Sequence, residues 1–181
     1  GIDVYLVTMD DDHQSEYVGA HYREIAELTG FTGSAGKLVI TKEEAALWTD
    51  GRYFVQAGNQ LKDSGITLMK QGEPGVPDMN DYIVSALPAG GVFGFNGKCV
   101  SCLEAAALEE RLSRKQVRIA YEKDLPDEIW TGRPAAAEEP CFILSEKYAG
   151  KGAGEKLSDL RKEMERLGAE AHVIATLDDI A

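Results

Sequence analysis

The sequence predicts an α/β fold in which helices flank a mixed sheet. Short runs rich in β-branched and aromatic residues alternate with longer segments of helical spacing, the pattern of strand–helix–strand units. The first run, residues 4–8 (VYLVT), is almost continuously apolar, as expected of a strand buried on both faces. Residues 37–41 and 45–49 are joined by only three residues. They predict one antiparallel hairpin among parallel crossovers.

The remaining elements follow in chain order from their boundary signals. A helix over residues 22–28 stops at Thr29-Gly30, a typical C-terminal signal, and Ser101 with Glu104 forms a capping box that opens another helix. Further strands are predicted at residues 66–70, 92–95 and 117–121. Helices are predicted at residues 22–28, 52–61, 78–87 and 101–115.

A composition shift divides the chain. Residues 135–140, rich in small, acidic and proline residues, are predicted to link a first domain (1–134) to a second that begins at residue 141. Beyond this linker we expect a helix over 155–167 and a strand over 172–176. The stretch GIDVYLVTMDDD (1–12) aligns without gaps to GAEAHVIATLDD (168–179), which indicates a duplicated unit. Residues 141–181 are therefore expected to be the truncated beginning of a second, similar domain.

The charge balance excludes several classes of partner. The 181 residues carry 19 basic and 31 acidic side chains, a net charge of −12. A nucleic-acid binder and an anionic membrane surface both require a basic face, so neither partner is expected. No apolar run approaches a membrane span and no signal peptide is recognised. Three cysteines are too few for a disulfide scaffold. We therefore expect a cytoplasmic protein, although a further targeting segment could precede this start.

Cysteine spacing offers an alternative function. Cys99 and Cys102 form a C-x-x-C between a predicted strand and a helix N-terminus, where the helix dipole lowers a thiol pKa. A stand-alone binding or thiol-redox module would use this pair. The competing interpretation is two thiols that happen to lie near a helix start. Structural zinc would need two further ligands, and only Cys141 and three scattered histidines remain.

Two loops invite ligand-binding interpretations. GFTGSAG (30–36) could cradle a phosphate, but it follows a helix and opens a hairpin, which is the wrong context for a dinucleotide or Walker A loop. Tight turns with positive φ are the better interpretation of its glycines. The run Asp10, Asp11, Asp12 and His13 could bind a cation, but acidic turns are more often simply solvated.

Arg52 is the strongest single candidate. It lies in WTDGRYF (48–54), where a strand ends, Asp50-Gly51 turns the chain, and a helix begins at Arg52 or Tyr53. A guanidinium at a helix start is electrostatically unfavourable because that end is already positive. Two explanations are open from the local sequence: contact with a carbonyl or carboxylate of a ligand, or a structural pair with Asp50.

Taken together, these motifs resemble the N-terminal part of cytosolic Xaa-Pro aminopeptidases of the creatinase/prolidase family. The resemblance covers essentially the whole chain. It rests on DDHQSEY (11–17), GFTGSAG (30–36), WTDGRYFVQA (48–57), the IW-x-x-RP of 129–134, and Tyr148-x-Gly150. One departure is the Lys-Gly-Ala-Gly at 151–154, where the family usually shows a serine. Only the capping of the next helix is affected.

The resemblance implies an architecture and a division of labour. Long family members carry two similar RNase-H-like α/β domains ahead of a "pita-bread" metallopeptidase domain. That last domain holds two divalent metal ions, usually manganese, on Asp, Asp, His, Glu and Glu ligands. We expect none of these ligands here, so this chain should bind no metal or other cofactor and should be inactive alone. The parent enzyme, implied to be a homodimer, would remove the N-terminal residue from peptides with proline second.

The resemblance also implies two substrate-binding residues. Arg52 matches the arginine of the family's DGRY motif, which lies on the substrate side, so it is expected to hydrogen-bond the peptide backbone. Glu16, in a polar loop expected near the same cleft, is a weaker candidate. The motif residues expected to serve as scaffold are Asp50, Gly51, Tyr53, Gly30 and Gly33. The chain would thus cover the active-site cleft of its own C-terminal catalytic domain.

Overall fold

A computed structural model describes residues 1–180 of the chain. It contains six strands and eight α-helices in that range. The strands are β1 (Val4–Val7), β2 (Lys37–Thr41), β3 (Ala45–Thr49), β4 (Ile66–Lys70), β5 (Val92–Phe95) and β6 (Arg118–Ala120). The helices are α1 (Glu24–Thr29), α2 (Phe54–Gln60), α3 (Met79–Ala86), α4 (Cys102–Leu112), α5 (Leu125–Ile129), α6 (Glu146–Ala149), α7 (Ala153–Leu167) and α8 (Leu177–Ile180).

All six strands join one mixed sheet in the order β4-β3-β2-β1-β5-β6. β2 is antiparallel to both of its neighbours, and the other adjacent strands are parallel. β1 lies in the middle of the sheet. Its Val7 lies opposite Leu38 of β2, and its Val4 lies opposite Phe93 of β5. The predicted mixed α/β class is therefore confirmed. Because every strand except β2 runs the same way, their carboxyl ends share one edge of the sheet, where the start of β2 also lies.

Apolar side chains cover both faces of the sheet. In β1, Val4 and Leu6 belong to one core cluster, whereas Tyr5 and Val7 belong to the other. This alternation follows from the two-residue period of a strand. Helices α3 and α4 pack on the first face through residues such as Ile83, and α1 and α2 pack on the second. The buried central strand explains the continuous apolar run at the start of the sequence.

The local signals located most elements of residues 1–120. Gly30 ends α1 with a left-handed φ of 74°, and the Ser101 hydroxyl accepts a hydrogen bond from the Glu104 amide at the start of α4. Helix α2 begins at Phe54 with Tyr53 as its N-cap, later than predicted. The sequence did not predict α5, a five-residue helix that Asp124 caps through the amide of residue 127. A single capping residue before five helical residues is too weak a pattern to predict a helix.

The chain divides into two compact units: unit 1, Gly1–Ala137, and unit 2, which begins at Glu138. Within its described part, unit 2 consists of helices α6, α7 and α8 and has no buried residue. The predicted helix over 155–167 is confirmed as α7. The predicted strand over 172–176 is wrong, because those residues form no strand pairing. A strand needs a hydrogen-bonding neighbour, and residues 138–180 provide none.

None of the helices in residues 1–180 combines the length and the apolar character of a membrane-spanning segment.

Candidate functional site

Two clefts open at the edge of the sheet where the parallel strands end. The larger has a volume of about 760 Å³ and lies beside the ends of β3 and β4. The smaller, of about 280 Å³, lies between the loop after β1, helix α1 and the 30–36 loop. Met9 and Ser34 line both clefts, so the two are neighbours. In open α/β sheets this edge is where ligands usually bind.

Arg52 is fixed at this edge by the turn that follows β3. Its Nε donates to Asp50 Oδ1 at 2.9 Å, and its Nη2 donates to Asp50 Oδ2 at 2.7 Å. The Arg52 amide also donates to Asp50 Oδ1 at 3.0 Å. These hydrogen bonds raise the pKa of Arg52 and lower the pKa of Asp50, so both are charged at neutral pH. The structural pair with Asp50 that the sequence left open is therefore present.

The ion pair with Asp50 leaves part of the Arg52 guanidinium available to a ligand. The Arg52 side chain is 69% exposed, and Asp50 engages only the Nε–Nη2 side of the guanidinium. Two of its five N–H groups are satisfied, which leaves three donors on the edge that faces away from Asp50. The guanidinium carbon also lies 5.3 Å from the centre of the Tyr53 ring. The side chain is held on two sides and free on a third, where it can donate to a ligand.

Tyr53 connects this turn to the glycine loop. Its hydroxyl and that of Ser34 are 2.6 Å apart, and this hydrogen bond lowers the pKa of Tyr53. The Tyr53 ring packs edge-on against Phe31, with 5.9 Å between ring centres. Since Phe31 is fully buried, the Arg52 turn is anchored to the core through these aromatic rings.

The glycine loop serves close packing more than unusual backbone angles. Only Gly30 of its three glycines has a positive φ, so the predicted explanation is wrong for Gly33 and Gly36. A Cβ at Gly33 would overlap the Phe31 ring and lie 2.8 Å from Tyr53 Cδ1. One at Gly36 would lie 3.2 Å from the Trp48 carbonyl oxygen. These two glycines allow the loop to approach the core and β3 closely.

Glu16 lies in the loop after β1 and lines the smaller cleft, together with Tyr22, Arg23 and Thr32. Arg52 lines neither cleft, although its partner Asp50 lines the larger one. The structure thus brings the two predicted site residues to the same edge of the sheet but not into one cavity.

The larger cleft contains a charged pair that the sequence did not predict, next to Asp10 of the acidic run. Lys37, at the start of β2, forms an ion pair with Glu104 of α4, and Asp10 lies half-buried beside them. Burial raises the pKa of Asp10. The sequence could have indicated this group only through position, because each residue lies near a strand end or a helix start at this edge of the sheet. Sequence spacing could not join Lys37 to Glu104, 67 residues away.

The cysteine pair lacks the features of a redox centre. Cys99 and Cys102 are both free thiols, one buried and one exposed. Burial, reinforced by nearby carboxylates, raises the pKa of Cys99 to about 12. A nucleophilic thiol needs the opposite shift. The helix dipole expected to lower this pKa is therefore outweighed by burial.

The acidic turn is the one group in residues 1–180 that offers three potential metal ligands together. Asp11, Asp12 and His13 each place one ligand atom within 4.8 Å of the others. However, the Asp11 carboxylate already accepts 2.9 Å hydrogen bonds from the amides of His13 and Ser15, which shape the turn. Three consecutive residues do not match the five-ligand set of a two-metal centre. The turn therefore does not fit that group, and no chemistry is assigned to it.

Comparison with known proteins decides the family. A family model described as "Creatinase/Prolidase N-terminal domain" matches residues 1–123. A second model of the same description matches residues 132–181. The chain belongs to the creatinase/prolidase family. The expected family resemblance is thereby confirmed.

Comparison with individual relatives supports the same family assignment. It is 43% identical to Aminopeptidase P2 of Arabidopsis thaliana over the whole chain and 26% of that protein. It is 41% identical to "Probable Xaa-Pro aminopeptidase P" of Pyrenophora teres, covering 99% of the chain and 28% of the relative. The crystal structure of a Caenorhabditis elegans X-prolyl aminopeptidase matches 99% of the chain with a TM-score of 0.86 and 36% identity. That protein is described as a cytosolic enzyme with a di-nuclear active site.

The creatinase/prolidase chain thus spans between a quarter and a third of the relatives it matches.

Proposed function

We propose that this chain is the noncatalytic N-terminal part of a metal-dependent Xaa-Pro aminopeptidase. In this role it covers the active-site cleft of its own C-terminal catalytic domain and contacts the peptide. The observation that carries the proposal is Arg52. It is an exposed guanidinium held by Asp50 and Tyr53 at the edge where open α/β sheets usually bind ligands, in a chain whose relatives are Xaa-Pro aminopeptidases.

Arg52 supplies the substrate contact in this proposal. Its free N–H groups can donate to a carbonyl oxygen of the bound peptide, and its anchored turn limits the entropy lost when they do so. Glu16 lies in the neighbouring smaller cleft, where its carboxylate can accept from a peptide amide. Two divalent metal ions, expected to be manganese, belong to the catalytic domain; the di-nuclear active site described for the Caenorhabditis elegans neighbour supports this.

The proposal extends to the whole protein. The substrate is a peptide with proline second, and the parent enzyme is a homodimer. The compartment is the cytoplasm, which is supported by the Caenorhabditis elegans neighbour, described as a cytosolic enzyme. The domain arrangement is 1–134, a linker at 135–140, and a second, similar domain that begins at 141. The second family-model match, which spans residues 132–181, supports this repeat.

The decisive experiment compares three proteins on a proline-second peptide with Mn²⁺: the 181-residue chain, the full-length protein, and its Arg52→Ala variant. The chain alone should show no turnover. In the full-length protein, Arg52→Ala should lower kcat/KM by about tenfold or more, because a charged hydrogen bond to substrate is lost. Arg114 is an exposed arginine two residues after α4 ends, so Arg114→Ala is the matched control and should change little.

Turnover by the isolated chain would contradict a noncatalytic role. An unchanged kcat/KM in Arg52→Ala would remove this residue from the substrate site.

A further inference from the structure

The Arg52–Asp50 pair has almost no net charge to offer a ligand. The two Asp50 carboxylate oxygens accept hydrogen bonds of 2.9 Å from Nε and 2.7 Å from Nη2 of Arg52, which is a bidentate ion pair. Arg52 therefore presents directional N–H donors rather than a free positive charge. Such a group suits a neutral carbonyl oxygen. It gives less to a carboxylate, whose recognition depends on an unbalanced cation.

The surroundings of the pair strengthen this preference. The larger cleft, which Asp50 lines, also contains Asp10, Asp78 and Glu104 against the single cation Lys37. Lys37 is already paired with Glu104. A negatively charged ligand group that approaches Arg52 from this side therefore meets an excess of like charge, which is unfavourable. A peptide carbonyl meets no such penalty.

We propose that Asp50 is a specificity-determining positioning residue: it holds Arg52 for a backbone carbonyl and disfavours a terminal carboxylate at the same place. Peptides whose chain continues past Arg52 are then preferred over short ones that end there. This inference rests on the proposed function, since it assumes that Arg52 contacts the substrate.

The test uses the full-length protein and peptides that differ by one charge. Ala-Pro, Ala-Pro-Ala and Ala-Pro-Ala-Ala are each assayed as the free acid and as the C-terminal amide. The length at which the wild type most prefers the amide over the acid shows where the terminal group meets Arg52. At that length, Asp50→Asn should lower the amide-to-acid ratio of kcat/KM by roughly two- to fivefold, the size expected for an exposed charge pair.

This ratio separates specificity from damage, because a loss of folded enzyme lowers both values equally. Asn retains an oxygen that can accept from the Arg52 amide, and Asp50→Ser provides the same acceptor if the first variant folds poorly. Asp50→Glu restores the charge and should return the ratio towards wild type. Asp78→Asn is the matched control. It removes a carboxylate from the same cleft without touching Arg52, so it should shift the ratio less than Asp50→Asn does, and Asn still caps α3.

The outcomes separate the substrate contact of Arg52 from the specificity role of Asp50. If Arg52→Ala lowers kcat/KM but Asp50→Asn leaves the ratio unchanged, the specificity role is overturned and the substrate contact stands. An equal shift in Asp50→Asn and Asp78→Asn would also overturn it, since a diffuse field would then explain the selectivity. If Arg52→Ala has no effect on any peptide, the proposed contact and this inference fail together.

Discussion

The Arg133 guanidinium donates a 2.6 Å hydrogen bond to Glu24, 109 residues earlier in the chain, and both side chains are less than a tenth exposed. Arg133 also donates to Asp124 at 2.7 Å, to Asp127 at 3.1 Å, and to the carbonyl of His21 at 2.8 Å. This cluster joins the segment after β6 to helix α1. Most of the arginine's donors are satisfied within unit 1.

Removal of Arg133 should therefore destabilise unit 1. At pH 8, above the raised pKa of Glu24, Arg133→Ala leaves the buried Glu24 carboxylate without its partner and should lower the free energy of unfolding by about 3–5 kcal/mol. Urea denaturation monitored by tryptophan fluorescence measures this, since Trp48 is buried in the same unit. Arg114→Ala is the exposed control. A loss below 1 kcal/mol in Arg133→Ala would show that the buried cluster contributes little.

Glu24 should give unit 1 a specific pH dependence. Burial, with repulsion from Asp124, raises the pKa of Glu24 from 4.5 to about 7, and this outweighs the attraction of Arg133. Between those values the folded chain holds a proton that the unfolded chain has lost. The contribution of Glu24 to the free energy of unfolding therefore falls as the pH rises from 4.5 to about 7.

Glu24→Gln cannot titrate, so its free energy of unfolding relative to wild type should increase as pH rises from 5 to 7. Urea denaturation at pH 5, 6 and 7 provides the measurement. Glu27→Gln changes an exposed carboxyl on the same helix and should follow the wild type. A constant difference between Glu24→Gln and wild type across the range would disprove the raised pKa.

Gly33 should tolerate no side chain. Gly33→Ala must displace the Phe31 or Tyr53 ring, which should lower the free energy of unfolding by about 1–3 kcal/mol. Gly19→Ala is the matched control, because its Cβ would meet nothing within 4 Å and its φ is −64°. Thermal denaturation of both variants tests the close-packing explanation. Equal melting temperatures for the two would refute it.

The three thiols should react at very different rates. At pH 8 a thiol reagent should label the exposed Cys102 and Cys141 rapidly, while the buried Cys99 reacts only as the chain unfolds. Cys102→Ser should remove one of the two fast equivalents and leave the slow one. Rapid labelling of Cys99 at neutral pH would instead revive the thiol-redox alternative.

The sequence by itself determined the strands of the sheet, the hairpin and most helices of unit 1. These features depend on signals between neighbouring residues: the continuous apolar run of β1, the glycine that ends α1, and the serine cap of α4. The Arg52–Asp50 pair was also foreseeable, because its members are two residues apart on one turn. The DGRY motif made Arg52 a site candidate before any geometry was known.

Only the tertiary structure decided which side chains become buried together. Arg133 pairs with Glu24 across 109 residues and Lys37 with Glu104 across 67, and no local pattern marks either pair. No local pattern shows that Cys99 is buried, which sets its pKa. Nor does any show that Gly33 lies against the Phe31 ring, where a side chain would not fit. Residues 172–176 fail as a strand for the same reason: a strand exists only where another part of the chain hydrogen-bonds to it.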